Sequence, residues 1–269
     1  MGMSGLYDVH CHLNDTKYLD LEMTSIEMIL EAKKSGVDFI NNVGYDVKSS
    51  KTAVIQANLS PVVFAIVGIH PTNAHLFTVE AYETIEELAQ SNEVVGIGET
   101  GLDFSKTTKY EKQQIEAFKR HISIAKKLDL PLMLHLKNEP GKTRVYEIAY
   151  NLLKENGVKK GVIHSYEGTL EWAKKFIELG LLISVSGAVT YDSKINAVID
   201  GISLNDLVVE SDAPYLAPVP YEKTLNYPKY LPLTIKHIAR MKNVSELVVA
   251  QTTRNNAKNL FLKNRSHNK

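Results

Sequence analysis

Two hydrophobic rhythms alternate along this chain. Residues 6–9, 37–43, 62–69, 94–98, 132–134, 161–163, 181–185 and 207–209 are short runs of continuous apolar character, as expected of strands buried on both faces. Between them, apolar positions recur at three and four residues, which predicts helices over 22–34, 48–58, 79–90, 109–128, 143–155, 170–179 and 193–199. The spacing is clearest in 109–128, where Ile115, Phe118, Ile122 and Ala125 share a face, whereas 22–34 rests on Ile26, Ile29 and Leu30. Two or three further helices follow the last strand, the clearest over 233–241 and 244–253. Eight strand-helix repeats predict a parallel sheet closed into a (β/α)8 TIM barrel. No Ser/Gly linker or charge block divides the chain, so it reads as one domain with a core over about 6–262. An open doubly wound sheet is the alternative. It would need a glycine-rich phosphate loop after the first strand, where this chain has His10-Cys11-His12-Leu13.

In such a barrel, reactive groups sit at the C-terminal ends of the strands. The expected strand ends carry His10 and His12, His70, Glu99, His135, His164 and Asp212. Strict alternation would put Asp8, His10 and His12 on one face and Cys11 on the other. Imidazole nitrogens and carboxylate oxygens suit borderline and hard divalent ions. Glu99 has two oxygens and can serve two ions, which an imidazole cannot do. His75, His121, His237 and His267 fall in helices, a loop or the tail and receive no chemistry.

Composition narrows the setting. The 269 residues balance 31 basic against 31 acidic side chains, which gives no sign of a broad basic surface for duplex nucleic acid. A polyanionic substrate would have to be held locally. Cys11 is the single cysteine, so no internal disulfide is possible and a reducing, cytoplasmic setting is expected. The sequence shows no signal-peptide or myristoylation pattern and no apolar run of membrane-spanning length. Nothing in it specifies an obligate protein partner.

The motifs Asp8-Val9-His10-Cys11-His12-Leu13, Gly68-Ile69-His70-Pro71, Gly98-Glu99-Thr100-Gly101-Leu102-Asp103 and Leu130-Pro131-Leu132-Met133-Leu134-His135 are followed by His164-Ser165-Tyr166 and Glu210-Ser211-Asp212-Ala213-Pro214-Tyr215-Leu216. Together, and in this order, they resemble the TatD family of metal-dependent deoxyribonucleases, within the amidohydrolase-like TIM barrels. The likeness runs from about Tyr7 to Phe261. It implies two divalent ions, magnesium or manganese, with zinc also suited to the imidazoles. His10, His12, Glu99 and Asp212 would hold the first ion, and Glu99, His135 and His164 the second. Two features depart from the pattern. Lys137 stands where members usually carry arginine, giving a point charge in place of a planar fork. The stretch Tyr221 to Pro228 replaces an arginine followed by Asn-Glu-Pro. These departures bear on the substrate more than on the metals.

The resemblance implies hydrolysis of a phosphodiester by a metal-activated water, with DNA as substrate. Asp212 would orient the water and take its proton, or serve as a plain ligand. His70 would meet the phosphate or the water, or make a structural hydrogen bond at its turn. Lys137 would pair with a phosphate, or be solvated. Asp8 is expected to hold a histidine ring, and Asp103 to fix its loop or a ligand. Tyr215 and Tyr221 flank the expected mouth and could stack on a base or simply pack. Two divalent ions less two ionised carboxylates leave the mouth positive, which suits single strands or DNA ends. The alternatives are a metallohydrolase for a small ester, lactone or amide, and a barrel that binds without catalysis.

Overall fold

The computed structural model describes residues 4–21, 23–76 and 78–263. Eight strands among them form one all-parallel sheet: β1 (Leu6–Cys11), β2 (Val37–Val43), β3 (Val63–Val67), β4 (Val94–Asp103), β5 (Leu132–Lys137), β6 (Gly161–Ile163), β7 (Leu182–Val185) and β8 (Leu207–Val209). Helices alternate with them: α1 (Ser25–Lys34), α2 (Val47–Asn58), α3 (Val79–Leu88), α4 (Glu111–Leu128), α5 (Arg144–Glu155), α6 (Leu170–Glu178), α7 (Ser193–Asp200), α8 (Leu231–Lys242) and α9 (Glu246–Phe261). The sheet order is sequential, as the TIM barrel requires. The circle closes just beyond β8, where the Asp212 N–H donates to His10 C=O (2.9 Å) and the His12 N–H to Ala213 C=O (2.7 Å).

Side chains fill the barrel in two shells. Inside, Tyr7, Val43, Ile66, Met133, Val162 and Val208 meet one another, one from each of six strands. Phe261 of α9 closes the N-terminal end, its ring 6.2 Å from that of Tyr7. Outside, Ile40, Ile97, Leu134 and Ile183 pack against Phe118, Ile122 and Phe176 of the helices. Each such fully buried side chain stabilises the fold by roughly 1.5–3 kcal/mol. The N-terminal end is therefore sealed with apolar groups, and the polar ones gather at the opposite mouth.

Two bulges aim the mouth residues. On β1, Asp8 pairs with Ile40 but Cys11 with Asn42, so three residues advance against two. The extra residue reverses the alternation. His10 and His12 turn inward, Cys11 packs in the outer shell, and Asp8 is left facing outward with Ile40. The expectations that Asp8 shares the histidines' face and holds a histidine ring are thus corrected. Asp8 instead accepts the Ser211 N–H (2.8 Å) and hydroxyl (2.5 Å), binding β1 to the end of β8. On β4, Ile97 pairs with Leu132 and Thr100 with Leu134, a second slip that directs Glu99 inward. Gly98 (φ 153°) and Gly101 (φ 135°) flank it, where a Cβ would meet Met133 O at 2.4 Å and His135 O at 2.2 Å. Only glycine fits so close to the β5 backbone.

Several elements differ in extent from the periodicity. β4 runs past Glu99 to Asp103, and β5 reaches Lys137. α1 begins after Thr24, which forms a capping box with Glu27; the expected start at Glu22 lies outside the described residues. Its buried face is Met28, Ile29 and Ala32, while Ile26 and Leu30 are about half exposed (54% and 52%). α8 starts two residues earlier than expected because Pro232 is well suited to a first turn. α9 continues to Phe261 because the widely spaced Thr253, Ala257 and Phe261 are buried in an otherwise polar stretch. No helix among the described residues is long and apolar enough to cross a membrane.

Candidate metal centre

His10 and His12 leave β1 with their Nε2 atoms 3.1 Å apart. Glu99 Oε2 lies 3.7 Å from the first and 3.6 Å from the second, and Asp212 Oδ1 lies 3.5 and 3.9 Å away. The other oxygen of Glu99 faces the opposite set. Its Oε1 is 2.8 Å from His135 Nδ1 and 2.9 Å from His164 Nε2, and those two nitrogens are 3.1 Å apart. The six expected ligand residues therefore converge, and one carboxylate spans the two halves. His10, His12 and Glu99 offer donor atoms within 4.8 Å of one another, as do His10, His164 and Asp212. Five of the six are buried, His10 fully, and His135 is partly exposed.

The outer nitrogens set the tautomers. His12 Nδ1 donates to Val43 C=O at 2.8 Å, and His135 Nε2 faces Asp103 Oδ2 at 3.1 Å. His164 Nδ1 faces Glu210 Oε1 at 3.4 Å. With an acceptor behind each of these three rings, the proton belongs on the outer nitrogen and a lone pair points into the site, whereas His10 Nδ1 is buried without a hydrogen-bond partner. His70 is different. Its Nδ1 accepts the Thr72 N–H (3.2 Å), which leaves Nε2–H as a donor toward Glu99 Oε1 at 3.4 Å. His70 is thereby arranged as a hydrogen-bond donor at the edge of the cluster.

Electrostatics show where positive charge is wanted. Burial opposes ionisation of Glu99, but His164, His70 and His135 outweigh it and hold the carboxyl well below its ordinary value. Burial likewise opposes protonation of His164, yet Glu99 and Glu210 raise it well above the usual imidazole range. His135 is raised against its burial by Asp103 and Glu99. His10, buried and beside His164, is pushed well below that range. Burial drives the Asp212 carboxyl up, with Glu210 and Glu99 adding to the effect. Asp212 also sits at φ 55°, a left-handed conformation costing a non-glycine residue about 1–3 kcal/mol. Inward lone pairs and clustered carboxylates fit a divalent cation in chemistry and in charge.

A cavity of about 550 Å³ opens above the cluster, with Lys17, Tyr45, Asn73, Lys137 and Tyr215 in its wall. Lys137 is there as expected, with Nζ 3.4 Å from Glu167. Asp103 serves both suggested purposes, accepting from Ser105 N–H (2.9 Å) and facing His135. Tyr215 lines the wall, its hydroxyl donating to Asp15 and Lys17 lying 3.8 Å over its ring. Tyr221 stacks on Tyr230 (4.2 Å, 11°) and does not line the cavity. Sequence reasoning gave no role to Glu210, which is fully buried and takes the Ser184 hydroxyl at 2.5 Å. Its place two residues before Asp212, on the same face of a strand end, was the available signal.

The TatD-related DNase family matches residues 7–262. The metal-dependent hydrolase YabD of Bacillus subtilis is 32% identical over 261 residues, covering 95% of this chain and 98% of its own. YcfH of Escherichia coli, also named a metal-dependent hydrolase, is 31% identical with 95% of both chains covered. The crystal structure of YjjV, a TatD homologue from Escherichia coli, superposes with a TM-score of 0.86 at 25% identity, over 96% of this chain and 98% of that one. A barrel whose mouth gathers five imidazoles around Glu99 and Asp212, matched along nearly its whole length by these relatives, belongs to the TatD family of metal-dependent hydrolases.

Proposed function

We propose that this chain is a metal-dependent phosphodiesterase acting on DNA ends or single strands. The observation that carries the reading is the divided Glu99 carboxylate, one oxygen 3.6–3.7 Å from the His10/His12 pair and the other 2.8–2.9 Å from His135 and His164. Such a carboxylate would serve two ions, the first also held by His10, His12 and Asp212 and the second by His135 and His164. Magnesium or manganese would suit the work, and zinc the imidazoles. Divalent cations in these positions supply the charge that polarises a phosphoryl oxygen and acidifies a water.

The side chains do the rest. Asp212, facing both histidines of β1, orients the attacking water and takes its proton. His70 donates its Nε2–H to a phosphoryl oxygen, which spreads the developing negative charge. Asp103 and Glu210 hold the rings of His135 and His164 from behind. Lys137 faces a neighbouring phosphate from the cavity wall. The cavity, about 550 Å³, is of small-ligand size and too small for a duplex, which supports a strand end or single strand.

Incubation of the purified protein with 3′-labelled single-stranded DNA and manganese, with and without chelator, tests the reading. Chelator-sensitive release of nucleotides is expected. No release, together with turnover of a panel of small esters and lactones, would replace it with a small-substrate hydrolase.

A further inference from the structure

The neutral total conceals an uneven mouth. The loop between β4 and α4 and the loop between β5 and α5 carry Lys106, Lys109 and Lys142, all exposed. Among the described residues, no carboxylate lies within ion-pair distance of any of the three. The acidic groups nearby are otherwise engaged or few. Glu111 forms two hydrogen bonds with Arg144, Asp103 faces His135, and Glu139 is the remaining carboxylate of the two loops. The other loops of this face carry both signs: Asp15 is followed by Lys17 and Glu222 by Lys223, while Asp46 and Asp192 cap helices and Glu167 faces Lys137.

This basic sector is continuous with the cavity. Phe104 N–H donates to Lys137 C=O at 2.8 Å, so the first loop springs from beside the cavity wall. The Arg144–Glu111 pair joins the second loop to the start of α4. On the far side, the turn Pro71–Leu76 carries Asn73 in the cavity wall and His75 outside it. His75 stacks on Tyr110 at 5.1 Å, and Lys109 lies 5.1 Å over the same Tyr110 ring. Lysines beside stacked rings are what a single-stranded nucleic acid requires, cations for phosphates and flat faces for bases.

We infer that a single strand whose end enters the cavity runs out over the β4–α4 and β5–α5 loops, its phosphates met by Lys106, Lys109 and Lys142. The inference deepens the proposed function and rests on the cavity being a nucleic-acid site.

The test is binding of a fluorescein-labelled phosphorothioate dT12, which keeps its charge and resists cleavage, to the manganese-loaded protein across a salt series. In single strands each phosphate contact contributes about 0.7 to the slope of log affinity against log salt. The variant K106A/K109A/K142A is expected to flatten that slope by about 2 and to weaken binding about 100-fold at 0.1 M salt. The charge-matched variant K33A/K154A/K174A, altered on exposed helix surfaces, is expected to bind as the parent does. Hydrolysis of the dinucleotide TpT, which does not reach beyond the cavity, is expected to be equal in all three. The inference is overturned if the parent fails to bind dT12, if the slope is unchanged, or if the control variant weakens binding equally. Sector-dependent binding without hydrolysis of unmodified DNA upholds it and refutes only the phosphodiesterase reading.

Discussion

His121 has a pH signature that can be worked out from its surroundings. It is fully buried on α4, with Nδ1 donating to Ala117 C=O at 2.7 Å and Nε2 accepting the Ile69 N–H at 3.1 Å. A second proton would set N–H against N–H. Burial pushes its pKa down to about 4, while the bond to Ala117 works weakly the other way. Above pH ~6.5 the imidazole is neutral folded and unfolded, and no penalty exists. As pH falls below that value, the unfolded chain takes up a proton that the folded chain refuses. Stability is therefore lost progressively down to about pH 4. The shift of roughly 2.5 units corresponds to about 3 kcal/mol at the acid end, and to about 1.4 kcal/mol at pH ~5.5. In His121→Gln an amide oxygen can still accept from Ile69, but nothing titrates. The variant should be about 1 kcal/mol less stable at pH 7.5, for the altered bond to Ala117. It should overtake the parent as the medium is acidified. Urea unfolding at pH 7.5, 6.5, 5.5 and 4.5 measures the difference directly, because the other histidines titrate alike in both proteins. A difference that stays constant across the series would refute the reasoning. Ile69 precedes His70, so His121→Leu, which strands the Ile69 N–H, should also lower turnover by letting the His70 turn drift.

Substitutions at four positions probe the proposed two-ion centre. Glu99→Gln should weaken manganese binding at both ions by at least about 100-fold, whereas His12→Ala and His164→Ala should each chiefly weaken one; calorimetric titration distinguishes the patterns, and a loss confined to one ion would contradict a shared carboxylate. Glu210→Gln should weaken one ion about 10–100-fold, because His164 loses the charge behind its ring; unaltered affinity in a normally folded variant would show that Glu210 does not position it.

How much was legible follows from the range of the forces involved. The barrel was readable because apolar rhythm is local, and parallel strands joined by helices have few ways to close. The mouth was readable too. His70, Glu99, His135, His164 and Asp212 follow apolar runs, and the ends of parallel strands share one face whatever the details of packing. Cross-strand matters were not readable. No local pattern announces that β1 slips by one residue against β2, yet that slip turns Asp8 away from His10 and sets it on Ser211. The partners that decide each tautomer, Val43, Asp103, Glu210 and Thr72, come from other strands or from turns. Tyr215 and Tyr221 look equivalent along the chain, and only their neighbours separate a cavity wall from a stacked pair. The charge total was likewise blind to the basic sector, because opposite charges cancel in a sum but not in space. Sequence alone determined which residues stand at the mouth. The tertiary structure decided which way each points and what it touches, because those depend on register between strands far apart in the chain.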